Sequence, residues 1–229
     1  MVITIFSIDH RYSRYWYLLR KTQPNSFSMI MVPLIALSIF SSELVTTWFE
    51  WPLIYAAGGY IAALFALILS AKYGKIDYLD MGMRRDRLRY GYLMAIITAL
   101  LIVGVVGGFP SGLQFGGLKT FLYLPLIYVI IGLTREMLWR GYIQKMLSRQ
   151  FGPTKGFVLM VLMAALVHLA IMTITTPWML VYPYAYLEVL VLVPGMAAIL
   201  GYLYLRTENI LACALLHTLI LWLPGIILY

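Results

Sequence analysis

The sequence predicts an all-α fold: a polytopic transmembrane helical bundle of about seven spans, with its N-terminus in the cytoplasm. Three observations predict it. Apolar residues make up 62% of the 229 positions and charged residues only 11%, against ~25% charged in an ordinary soluble domain. The apolar residues fall in long runs, each near the ~20 residues a helix needs to cross ~30 Å of hydrocarbon at 1.5 Å per residue. Lys and Arg collect in alternate gaps between those runs, the asymmetry that orients a membrane protein.

Taken in order, residues 1–26 form a basic, aromatic N-terminal segment with Arg11, Arg14, Arg20 and Lys21. No small-residue cleavage site follows its first apolar run, so it reads as a segment lying at the membrane surface, not as a cleaved signal. Residues 27–229 form the transmembrane helical domain, with spans expected at 27–48, 52–71, 91–109, 119–138, 156–174, 179–204 and 209–228. Helices are expected because backbone polar groups in lipid must be satisfied within their own segment. The 72–90 gap carries six Lys or Arg, the 139–155 stretch carries Arg140, Lys145, Arg149 and Lys155, and the 205–208 turn carries Arg206. The gaps at 49–51, 110–118 and 175–178 carry none. The fourth helix is expected to run on past the membrane as an amphipathic, basic helix on the cytoplasmic face. The sixth holds Pro183 and Pro194-Gly195, which predicts an irregular helix. Gly104 and Gly108 have the spacing of a close helix contact.

The net charge of +8 does not point to nucleic acid, because the cations flank apolar runs and no soluble basic domain carries them. Cys213 is the only cysteine, so no internal disulfide exists, and it reads as a small buried hydrophobe. The sequence contains no HExxH, no GxSxG and no phosphate-binding Walker loop.

A charge at the bilayer centre costs ~2.5–3.5 kcal/mol on insertion scales, which makes intramembrane ionisable residues candidates for function. They are Glu43, Arg135, Glu136, Arg140, His168, Glu188 and His217. Glu43 stands at the outer end of the first span, where a carboxylate reaches water. His168 is expected ~20 Å deep in the fifth span and His217 ~12 Å deep in the seventh, both measured from the cytoplasmic side. Glu136 and Arg140 lie four residues apart, so an ion pair on one helical face is expected. Arg135 is turned ~100° away. Glu188 in mid-membrane needs a partner or a proton; it either faces the histidines or pairs with Arg135 or a tyrosine.

Three segments carry a resemblance: TREMLWRGYIQKMLSRQFG (134–152), VLMAALVHLA (161–170) and ENILACALLHTLI (208–220). They look like the three motifs of the CPBP family, also called ABI, which holds CAAX prenyl endopeptidases and bacteriocin-processing intramembrane proteases. The segment YLDMGMRRDRLRYG also looks like the family's stretch before the third span. The resemblance implies that Glu136, with Arg140-Gly141, matches the second glutamate and the Arg-Gly of the first motif, and that His168 and His217 match the histidines of the second and third. Three positions depart from the pattern: Arg135 replaces the first glutamate, Ala164 the upstream aromatic, and Leu221 the asparagine that helps hold the oxyanion. Arginine stays protonated and cannot serve as a base, and a lost oxyanion donor typically costs ~10²–10³ in rate.

Two readings follow from the resemblance. One is an intramembrane glutamic-type endopeptidase, in which Glu136 or Glu188 with His168 activates water and His217 supports the oxyanion, acting on a membrane-tethered peptide. The other is a non-catalytic scaffold or assembly factor of the same fold that binds membrane proteins or lipid, with Arg135 holding a phosphate or carboxylate. A small transporter is the third class, favoured only by Glu188 and the broken sixth helix. Membrane lipids and a tethered protein or peptide are the expected partners, and a multi-pass position in the cell membrane the expected location. No cofactor is expected; a divalent metal at Glu136, His168 and His217 would have to be assembled across three helices.

Overall fold

The computed structural model describes residues 24–49, 61, 64, 65, 67–69, 72, 73, 82, 88–106, 132–175 and 186–227. The N-terminal segment up to residue 23, most of the second span and the first parts of the fourth and sixth lie outside the described residues. What is described is helical, without strands.

Helix α1 spans Ser26–Phe49. Asn25 caps it: its side-chain oxygen accepts from the backbone N–H of Ser28 at 2.9 Å and from the Ser28 hydroxyl at 2.7 Å, satisfying a donor that the first turn cannot. Helix α2 spans Leu88–Val106. Helix α3 is continuous but changes pitch: Thr134–Glu136 is α-helical, Met137–Gln144 is π-helical and Lys145–Phe151 is α-helical again. Gly152, at φ 88°, ends it, donating its N–H to Ser148 O at 2.9 Å. A side chain would resist that left-handed φ. Helix α4, Pro153–Thr175, starts at once on a proline, whose missing N–H is harmless in a first turn. Helix α5 begins π-helical over Glu188–Leu192 and continues α-helical through Val193–Thr207. The irregularity expected in the sixth span is thus a wide turn directly before Pro194, where the ring would obstruct ordinary bonding. Glu208, at φ 51°, closes α5 with its N–H on Tyr204 O at 2.7 Å. Helix α6, Ile210–Ile227, is capped by Asn209 Oδ1, which accepts from the N–H groups of Leu211 and Ala212.

Two apolar clusters hold the helices together. The first joins Ile35 and Ile39 of α1 to Leu138, Tyr142, Ile143 and Met146 of α3 and Met160 of α4. The second joins Ala95 and Ala99 of α2 to Leu200 and Tyr204 of α5 and to Ile210, Cys213 and Leu216 of α6. Helix α3 gives its apolar face to the first cluster and its polar face to the helices that form the second, and Met137 touches both.

The C-terminal half of α3 departs from the sequence expectation of an amphipathic helix with a solvated face. Every residue from Leu138 to Arg149 is buried. The physical reason is that its polar groups find partners inside: Tyr142 donates to Ser28 O at 2.9 Å and Gln144 Nε2 to Gly201 O at 3.1 Å, and hydrogen-bonded polar groups can be buried at little net cost.

The exterior is inverted relative to a soluble protein. Glu136 is 0% exposed while Leu190 is 67% exposed, and Ile30, Leu37, Leu101 and Leu166 also face outward. Two helices, Pro153–Thr175 and Leu190–Thr207, are long and apolar enough to cross a membrane. Ser26–Ser41, Leu88–Ile102 and Ile210–Ile220 are apolar but shorter over the described residues.

The α3–α4 hairpin depends on Gly156. A Cβ there would overlap the Ser148 backbone N and Cα and lie 2.6 Å from the Leu147 carbonyl carbon. Backbone atoms cannot step aside as a flexible side chain can, so Gly156→Ala is expected to destabilise by about 1–3 kcal/mol. Thermal unfolding in detergent checks this. Gly195→Ala is the control: nothing lies within 4 Å of a Cβ at that position, so it should be neutral or slightly stabilising.

Candidate active site

The site grows from one close approach. A Cβ on Gly132, just before α3, would overlap Thr218 Oγ1 and lie 2.9 Å from Ala214 O. With only hydrogen there, α3 meets α6 nearly backbone to backbone. One turn later on α3 stands Glu136, and between Ala214 and Thr218 on α6 stands His217.

The two side chains meet. His217 Nδ1 lies 2.6 Å from Glu136 Oε1. Arg140 Nη1 donates to the same oxygen at 3.0 Å, so the i,i+4 ion pair expected from the sequence forms. Arg140 Nη2 reaches Ala197 O on α5 at 3.4 Å. Both members of the ion pair are enclosed, Glu136 at 0% and Arg140 at 4% exposure. Burying either charge alone would cost several kcal/mol, and pairing makes the site tolerable. With the carboxylate accepting, the Nδ1 of His217 carries the proton and Nε2 faces away from Glu136; a carboxylate that fixes tautomer and ring orientation is what a working histidine requires.

Glu136 Oε1 therefore takes two donors, and Oε2 takes none among the described residues although it is fully enclosed. A buried carboxylate oxygen left open is costly and is available to a further donor.

The remaining predicted residues lie as follows. His168 is on α4 and half-buried. The contact of Gly156 with Ser148 fixes the antiparallel register of α3 and α4. Counting equal steps from it along both helices brings His168 level with Glu136 to within about one turn. Glu136, His168 and His217 do not form a ligand set: among the described residues no group of three or more His, Cys, Asp or Glu side chains could hold a metal ion. Arg135 is half-buried beside Glu136 in the chain. Glu188 begins the π-helical turn of α5, while its side chain, like those of Glu43 and Leu221, lies outside the described residues.

Sequence reasoning missed two members of the neighbourhood. Gln144 and Ser148 continue the Glu136–Arg140 spacing along α3 and are equally buried. The four-residue interval was a legible signal, but an isolated glutamine and serine at the end of a basic helix read as a solvated face.

Residues 117–223, just under half of the chain, match the family model described as Type II CAAX prenyl endopeptidase Rce1-like. This is the family grouping that the three motifs resemble. No curated protein and no solved structure matches the chain significantly.

Proposed function

We propose, with that family match as the premise, that this protein is an intramembrane peptide hydrolase acting on a membrane-tethered, prenylated peptide, with Glu136, His168 and His217 as its working residues. The observation that carries the reading is the enclosed Glu136–His217 bond of 2.6 Å with Oε2 left open. Glu136 accepts the proton of the attacking water through Oε2, held in place by Arg140. His217, ordered by its Nδ1–H bond to Oε1, carries a second proton on Nε2 when it acts and donates that N–H to the developing oxyanion, and the proton taken up by Glu136 passes to the amine nitrogen as the C–N bond breaks. His168 completes the water site from α4. The chemistry is general-base attack of water on a peptide bond.

The same reading makes the protein a multi-pass protein of the cell membrane with about seven spans and a cytoplasmic N-terminus. The outward apolar side chains support this. So does helix direction: Arg140 pairs with Ala197 and Gln144 with Gly201, so α3 and α5 run parallel, as the fourth and sixth spans of such a bundle must.

The test is release of a fluorescent C-terminal peptide from a prenylated substrate in vesicles holding the purified protein. His217→Ala and His168→Ala should each lower release by roughly 10²-fold or more. Full activity in His217→Ala would remove the catalytic assignment. A second reading, a non-catalytic scaffold, is favoured by Arg135 at the motif's first glutamate position. It predicts no release by the wild-type protein and a stable complex with the uncleaved prenylated peptide that is insensitive to His217→Ala.

A further inference from the structure

Four polar side chains stand at four-residue intervals along α3: Glu136, Arg140, Gln144 and Ser148. Their exposures are 0%, 4%, 0% and 3%. Each keeps one enclosed polar atom without a partner among the described residues: Glu136 Oε2, Arg140 Nε, Gln144 Oε1 and Ser148 Oγ. The π-helical pitch of Met137–Gln144 bears on this directly. At ~4.4 residues per turn, side chains four apart fall about 33° short of a full turn, whereas in the ordinary turns from Lys145 on they overshoot it by about 40°, so the two drifts offset and keep all four side chains on one face. Arg140 and Gln144 show where that face lies, since both donate to carbonyls of α5, at Ala197 and Gly201.

Ser148 makes the point sharpest. The helical hydroxyls of Ser38, Thr173, Thr175, Thr207 and Thr218 each bond the carbonyl four residues back, the usual way such a group is satisfied in an apolar setting. The Ser148 hydroxyl does not. Buried polar atoms are satisfied by protein or by ordered water, and neighbours four apart on a helix are about 5–6 Å apart at Cβ, a gap that one water spans.

We propose that the seam between α3 and α5 is a water file leading from the C-terminal end of α3 to Glu136. One water accepts from Arg140 Nε and donates to Glu136 Oε2. The next donates to Gln144 Oε1 and bonds Ser148 Oγ. The file gives an enclosed carboxylate the hydrolytic water that an apolar exterior denies it. Its purpose rests on the hydrolase reading; its existence rests on the unpartnered atoms.

The test reads accessibility, not hydrolysis, so the two proposals fail separately. Cys213 is the only cysteine, so Cys213→Ala gives a blank background in the full chain. Single cysteines are then placed on the file, Ser148→Cys and Gln144→Cys, and beside it, Leu147→Cys and Ile143→Cys, which are also buried. The protein in lipid nanodiscs is exposed to silver ion, a water-sized thiolate reagent, and remaining thiols are counted after denaturation. The two file positions should react at least ~10-fold faster than their neighbours, because a thiolate forms only where water reaches it. Equal rates at all four positions, fast or negligible, overturn the proposal. Ser148→Cys alters a single atom, so its rate against Leu147→Cys decides the matter even where Gln144→Cys fails to fold.

Discussion

Glu136→Gln is expected to lower peptide release by roughly 10²–10⁴-fold, the usual contribution of a positioned general base, while the protein stays folded. Glutamine keeps the shape of glutamate and one carbonyl oxygen, so Arg140 Nη1 retains an acceptor where the 3.0 Å bond now stands. The proton acceptor is lost: where Glu136 Oε2 is now open, an amide holds no proton at neutral pH. The defect should lie in kcat with little change in KM, the pattern of an interaction made in the transition state. Peptide release in vesicles, with thermal unfolding run in parallel, is the measurement. Wild-type kcat in a folded Glu136→Gln protein would show that Glu136 is structural.

The second large effect is on stability. Arg140→Met is expected to destabilise by about 3–5 kcal/mol, because it strands the Glu136 carboxylate in an enclosed site. The double variant Glu136→Gln, Arg140→Met should recover a large part of that loss, since neither partner is then a buried charge. Unfolding of the wild type, both single variants and the double variant gives the coupling directly. Additive effects would mean that the 3.0 Å pair contributes nothing beyond its separate parts. A thermal stability in Arg140→Met equal to that of the wild type would mean that water, not Arg140, balances the carboxylate.

Much of the described architecture could be read from the chain because lipid-compatible helices announce themselves. The runs expected at 27–48, 91–109, 156–174 and 209–228 appear as Ser26–Phe49, Leu88–Val106, Pro153–Thr175 and Ile210–Ile227, since apolar length alone sets them. Pro194 likewise marked the irregular α5. The Glu136–Arg140 pair was legible from spacing. The Glu136–His217 bond was not, because it depends on how closely α3 and α6 approach at Gly132, a tertiary fact that no local pattern carries. The burial of Lys145, Ser148 and Arg149 was misjudged for a related reason. Composition suggested water around that end of α3, whereas α4 and α5 close over it.

The wide turns of α3 also say something about chain length. Such a turn holds one amino acid more than an ordinary one, so a single-residue deletion between Met137 and Gln144 is absorbed as a wide turn closes to an ordinary one, leaving Glu136 facing His217. The chain between that carboxylate and the Gly152 corner therefore has length to spare, and a frame-preserving loss of a single codon there would be less damaging than replacing the carboxylate itself.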